Sequence, residues 1–150
     1  MIKLLDHRNP ETGELIYEIF QKSYAVEAAL LKCDDFPPLN RSVPAIQNSK
    51  TSFFGYYTDH LLCAVMELEI YSNHIHVRSL TVDPNYFRQG IGYGLLQFVI
   101  DQFRPHLITV ETGHANHPAV NFYLNFGFKK DKVFMTEVGI EKISFTLIKN

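Results

Sequence analysis

Residues 80–96 read Leu80-Thr81-Val82-Asp83-Pro84-Asn85-Tyr86-Phe87-Arg88-Gln89-Gly90-Ile91-Gly92-Tyr93-Gly94-Leu95-Leu96. A β-rich run ends at Asp83-Pro84 and the chain turns. Glycines then open a helical segment in which Ile91, Leu95, Phe98, Val99 and Phe103 share one face until Pro105 stops it. The first N–H groups of a helix lack intrahelical acceptors and sit at the positive end of its dipole, so such a junction can hold an anion without net basic charge. Gly90 and Gly92 have no Cβ, which would let a phosphate approach the backbone, and Arg88 adds a charged fork. The same glycines also suit a helix start packed closely on a sheet. A dinucleotide fingerprint fits poorly because G-x-G-x-x-G is missing and antiparallel hairpins precede, and a Walker loop is excluded because no Gly-Lys-Ser/Thr follows.

Upstream, His74–Val82 reads as a strand, preceded by a hairpin of Ser52–Thr58 and Leu61–Ile70 about Asp59-His60. The segment Cys33–Ser49 carries Pro37, Pro38 and Pro44 and reads as a loop. Asn9-Pro10 is a helix cap followed by a first-turn proline. Leu15, Ile16, Ile19 and Phe20 recur at helical spacing, Val26–Leu31 suggests a second helix, and Ile2–Leu5 an edge strand. Downstream come a strand at Leu107–Thr112, a helix at Pro118–Phe126 closed by Gly127, and strands near Phe128–Thr136 and Glu141–Ile148. The order β-α-α-β-β-β-α-β-α-β-β predicts an α+β (mixed αβ) fold. One mixed, mostly antiparallel sheet of about seven strands carries helices on both faces, in a single domain over residues 1–150.

A formal net charge of −2 supplies no general attraction to nucleic acid or to an anionic membrane, and no apolar run has the length of a span. Two cysteines, Cys33 and Cys63, outside any C-x-x-C pair, fit a reducing, cytoplasmic setting, and they read as packing residues rather than nucleophiles. The histidines are scattered, and His114 and His117 lack a ligand set around them, so no metal site is expected.

The second informative stretch runs from Val110-Glu111-Thr112-Gly113 through Asn116 to Phe122-Tyr123 and Gly127-Phe128. Asn116 stands where it can cap a helix or bond a ligand, and Tyr123 lies one turn beyond Ala119 on the apolar stripe, a usual core position.

Together the two stretches resemble the GNAT superfamily of acyl-CoA-dependent N-acyltransferases. The family's phosphate loop, Gln/Arg-x-x-Gly-x-Gly/Ala, aligns with Phe87-Arg88-Gln89-Gly90-Ile91-Gly92. Its Asn-x-x-Ala-x-x-Phe-Tyr-x-x-x-Gly-Phe hallmark matches Asn116 to Phe128 without departure. The family's element order is the one predicted here, so the resemblance spans nearly the whole chain. Phe87 departs from the family's Gln or Arg, with Arg88 beside it as a shifted phosphate contact.

The resemblance implies acetyl-CoA as donor, a primary amine as acceptor, and direct attack with no covalent enzyme intermediate. It implies that main-chain groups of Leu80 and Val82 pair with the pantetheine arm, that the amides of residues 88 to 93, including Gln89, Ile91 and Tyr93, grip the pyrophosphate, and that Asn116 and Phe122 border the arm. Tyr123 would hand a proton or hydrogen bond to the leaving sulfur. A lysine-like ammonium, with pKa about 10.4, is only slightly deprotonated at neutral pH, so a base, direct or through water, must help. His76 falls at the family's position for a base; Glu69 and Glu67 on the neighbouring strand and Glu111 are rivals. The acceptor region maps to Tyr24–Arg41, with Tyr24, Asp34, Asp35 and Phe36 as its candidates. Alternative readings are a non-catalytic acyl-CoA sensor and a transferase of larger acyl groups. The terminal strands could pair across a homodimer.

Overall fold

Asn9 and Pro10 start a helix as their order predicts. In the computed structural model, which describes residues 1–149, the Asn9 side chain accepts from the N–H groups of Glu11 at 3.0 Å and Thr12 at 3.4 Å. This helix, α1 (Pro10–Leu31), runs unbroken for 22 residues and ends where Lys32 adopts φ 53°. Two helices were expected here. One forms because nothing between Phe20 and Val26 interrupts it: Gln21, Lys22 and Ala25 are good helix formers. The second helix, α2 (Val43–Gln47), lies inside the proline-rich segment read as a loop, where the Ser42 hydroxyl caps Ala45 N at 3.2 Å, Pro44 occupies the first turn and Ile46 is buried.

The strands are β1 (Ile2–Leu5), β2 (Ser52–Thr58), β3 (Leu61–Ile70), β4 (His74–Val82), β5 (Leu107–Gly113), β6 (Lys129–Met135) and β7 (Glu141–Ile148), with α3 (Ile91–Phe103) after β4 and α4 (His117–Phe126) after β5. They form one sheet in the order β1-β2-β3-β4-β5-β7-β6, antiparallel except for the parallel pair β4–β5. α3 makes the crossover that this parallel pair requires. Strand β7 pairs on both sides, so β1 and β6 are the sheet edges.

Helices cover both faces. Leu95, Leu96 and Val99 of α3 and Val120 and Tyr123 of α4 pack with Met66, Ile75, Val77, Ile108 and Phe145. On the other face Ile16, Ile19 and Phe20 of α1 and Ile46 of α2 pack with Phe53 and Val65. Phe36, with Ala28 and Ile140, forms a third buried cluster. No helix among the described residues is long and apolar enough to cross a membrane.

Candidate active site

The register of β4 builds the site. Leu68 faces Val77 and Glu67 faces Ser79, so Arg78 is an extra residue in β4 and forms a bulge. The bulge reverses the side-chain alternation. Ile75, Val77, Leu80 and Val82 join the α3–α4 core, whereas Ser79 and Thr81 turn the other way, to Glu67 Oε1 at 3.2 Å and the Val65 carbonyl at 3.0 Å. Parallel pairing with β5 stops at Val77 opposite Val110, although both strands continue. Beyond that point alternate main-chain groups of Arg78–Val82 have no strand partner on the β5 side. A cavity of about 470 Å³ opens there, lined by β4 residues including Leu80 and Val82, by Val110–Thr112 of β5, and by one face of α1.

The start of α3 forms the cavity mouth. Gly90 sits at φ 77° as its N-cap without a side-chain cap, Arg88 has φ 62°, and Phe87, Arg88, Gly90, Ile91, Gly92 and Tyr93 all line the cavity; Gln89 does not. Among the described residues the first-turn N–H groups therefore have no side-chain acceptor. The two glycines differ in role. A Cβ on Gly90 would meet nothing within 4 Å, whereas one on Gly92 would lie 3.1 Å from Phe122 Cζ. Gly92 thus also serves helix–helix packing while it lines the cavity, whereas Gly90 stands in open space. Gly92→Ala should lower stability by about 1 kcal/mol or more because the Phe122 ring must move. Gly94→Ala, whose methyl would lie 3.7 Å from Tyr56, should cost little. Thermal denaturation of the pair checks this.

The far wall is α4. Asn116 caps it through Oδ1, which accepts from Ala119 N at 3.3 Å, while its Nδ2 donates to Glu27 Oε2 at 2.8 Å. Glu27 Oε2 also accepts from Thr112 Oγ1 at 2.8 Å. The Tyr123 ring is buried against Phe122, Phe128 and Phe145, and its residue borders the cavity. Its hydroxyl makes no hydrogen bond among the described residues. Burial, reinforced by the negative charge of Glu27, holds its pKa above the ordinary tyrosine value. Tyr24 also lines the cavity, and its hydroxyl is likewise raised: burial and the charges of Glu27 and Glu67 outweigh an opposing hydrogen bond with Ser79. Both hydroxyls stay protonated at neutral pH and can donate.

A family model described as "Acetyltransferase (GNAT) family" matches residues 13–128. The chain belongs to that family. The UPF0157 protein YqkA of Bacillus subtilis (strain 168) is 33% identical over 141 residues, which cover 93% of this chain and 41% of that protein; this GNAT chain thus spans less than half of that curated relative. Its fold is shared with the ribosomal-protein-S18-alanine N-acetyltransferase of Escherichia coli, at a TM-score of 0.76 and 21% identity over 99% of this chain and 92% of the other. It is also shared with the PaiA N-acetyltransferase of Thermoplasma acidophilum, solved in complex with coenzyme A, at 0.66 and 21% over 96% and 98%.

The GNAT chain does not gather every residue singled out in its sequence. His76 precedes the bulge, where β4 is still paired; its Nδ1 lies 2.8 Å from Thr109 Oγ1, burial lowers its pKa, and it does not line the cavity. Glu69 is also outside, accepting from Arg78 Nη1 at 3.3 Å and from the Tyr71 hydroxyl at 3.1 Å. Glu67 is fully buried and saturated by Arg41, Thr51, Ser49 and Ser79. Glu111 lines the cavity but accepts from Lys142 Nζ at 3.3 Å. Asp34 and Asp35 are exposed, Asp35 accepting from Asn40, and Phe36 is buried in the third core cluster; none of the three lines the cavity.

Sequence reasoning missed Glu27. A signal existed in the spacing: Ser23, Tyr24, Val26, Glu27 and Leu30 follow the three-to-four period of one helical face, and all line the cavity. Splitting α1 into two helices hid it.

Proposed function

We propose that the protein transfers an acetyl group from acetyl-CoA to a primary amine by direct attack of the amine, without a covalent enzyme intermediate. The observation that carries this reading is one continuous cavity that runs from the uncapped start of α3, along the unpaired stretch of β4, to Asn116 and Tyr123. The residues present fit a coenzyme A thioester: open space over Gly90 admits a phosphate, Arg88 offers a cation beside it, and the free strand edge can pair with amide groups of an extended arm. Acetyl-CoA would supply the activated acyl group. Main-chain groups of Leu80 and Val82 align the arm, and an N–H on that strand polarises the thioester carbonyl. Asn116 holds the arm with the amide hydrogen not given to Glu27. Tyr123, kept protonated by burial, donates to the departing sulfur.

The experiment is calorimetric binding of acetyl-CoA and of bulkier acyl-CoAs, followed by a thiol-release assay over butylamine, putrescine, glycine and short peptides. Binding with amine-dependent thiol release is expected. Binding without release from any acceptor would make the chain an acyl-CoA sensor, and absence of acyl-CoA binding would end the reading.

A further inference from the structure

The carboxylates around the cavity are not equivalent. Glu111 faces Lys142, Glu67 is bound by Arg41, Glu69 by Arg78, and Asp83 by Lys22 at 3.5 Å. Glu27 alone among these accepts only from neutral donors: Thr112 Oγ1, Asn116 Nδ2 and, at 3.5 Å, Gly113 N. No cation lies within 4.0 Å of it among the described residues. Arg78, which lines the same cavity, directs its head to Glu69 at 3.3 Å and Glu67 at 3.9 Å. Among the described residues all three of Glu27's bonds are to Oε2, and none to Oε1. Glu27 lines the same cavity as Tyr24 and Tyr123. A carboxylate that lines the cavity without a counter-charge offers an attractive site for a positive charge that arrives or develops there.

We propose that Glu27 is a catalytic residue of this cavity, the carboxylate that receives the proton of the acceptor amine; the inference rests on the acetyl-transfer reading above. An arriving ammonium gives its first proton to water. As the neutral nitrogen forms the C–N bond, its positive charge develops against Glu27, which takes the nitrogen proton. The C–S bond breaks and the sulfur takes the Tyr123 proton. Glu27 then returns its proton to Tyr123, so that both groups are reset and the products are the amide and the free thiol. Val26 and Leu30 on the same α1 face give the acceptor an apolar flank, so the cavity suits compact amines with an aliphatic body.

The test uses Glu27→Gln, which keeps a side-chain oxygen for Thr112 and Asn116, with butylamine and putrescine as probe acceptors at saturating acetyl-CoA. kcat should fall about a hundredfold. The Kd for acetyl-CoA should stay within about twofold, and added formate should restore part of the turnover of Glu27→Ala. Glu27→Gln with undiminished kcat overturns the proposal, as does a loss of acetyl-CoA affinity that parallels the loss of rate, because Glu27 would then only be holding Asn116. A wild-type chain that binds acetyl-CoA yet releases no thiol with butylamine, putrescine, glycine or short peptides overturns both the transferase reading and Glu27. Wild-type turnover with an indifferent Glu27→Gln overturns Glu27 alone.

Discussion

Tyr123→Phe should lower kcat for acetyl transfer about a hundredfold while leaving acetyl-CoA affinity nearly unchanged. Loss of a positioned proton donor costs about 10²-fold or more, equivalent to about 2.7 kcal/mol of barrier. The selectivity follows from the packing. The ring contributes to the core through Phe122, Phe128 and Phe145, and phenylalanine keeps those contacts; only the hydroxyl disappears, and it has no hydrogen-bond partner among the described residues to lose. Stability should therefore hold. The measurement is single-turnover thiol release, so that chemistry rather than product release is observed. An unchanged rate there would remove Tyr123 from the role of donor to sulfur.

Glu67→Gln should be the most destabilising of the substitutions considered, by about 3 kcal/mol or more, lowering Tm by roughly 6–12 °C. Glu67 has no exposed surface and receives Arg41 in a two-pronged contact at 2.6 and 3.0 Å. Arg41 also lies over the rings of Phe20 and Phe53 at 5.9 and 5.8 Å. Glutamine would leave that guanidinium among aromatic rings without its counter-charge. The double variant Glu67→Gln with Arg41→Met should cost less than Glu67→Gln alone, because no unpaired charge then remains. Equal costs would show that the unpaired guanidinium is not what makes Glu67→Gln costly.

The same carboxylate gives a signature in pH. Burial by itself would raise the pKa of Glu67, but hydrogen bonds from Arg41 and Thr51 and the charges of Arg41 and Arg78 outweigh it, so the folded pKa lies below the ordinary value. A depressed pKa means that the unfolded chain binds the proton first. The stabilisation is fully present above the unfolded pKa of about 4.3 and is lost as pH falls through the folded value. Chemical denaturation of the wild type should show this acid-side decline, and Glu67→Gln should lack this part of it.

Much of the fold was legible because its signals are local. The hairpin about Asp59-His60, the strand His74–Val82 and the helix from Pro118 to Gly127 are set by alternation, turn residues and caps within a few positions of one another, and they stand in the structure with the same bounds to within a residue or two. The helix inside Cys33–Ser49 was hidden although its cap and first-turn proline were visible, because three prolines in one segment outweighed a five-residue helix.

The sequence by itself therefore determined the strands and the helices after β4 and β5, the sheet with helices on both faces, and the two motifs that border the cavity, since periodicity and capping are read from neighbouring residues. Only the tertiary structure decided which carboxylate stays uncompensated and which glycine faces open space. Arg41 reaches Glu67 across 26 positions and Glu27 reaches Thr112 across 85. The bulge at Arg78 that parts β4 from β5 exists only in the register with β3. Electrostatic partners and close contacts depend on distance in space, and spacing along the chain carries little of that information.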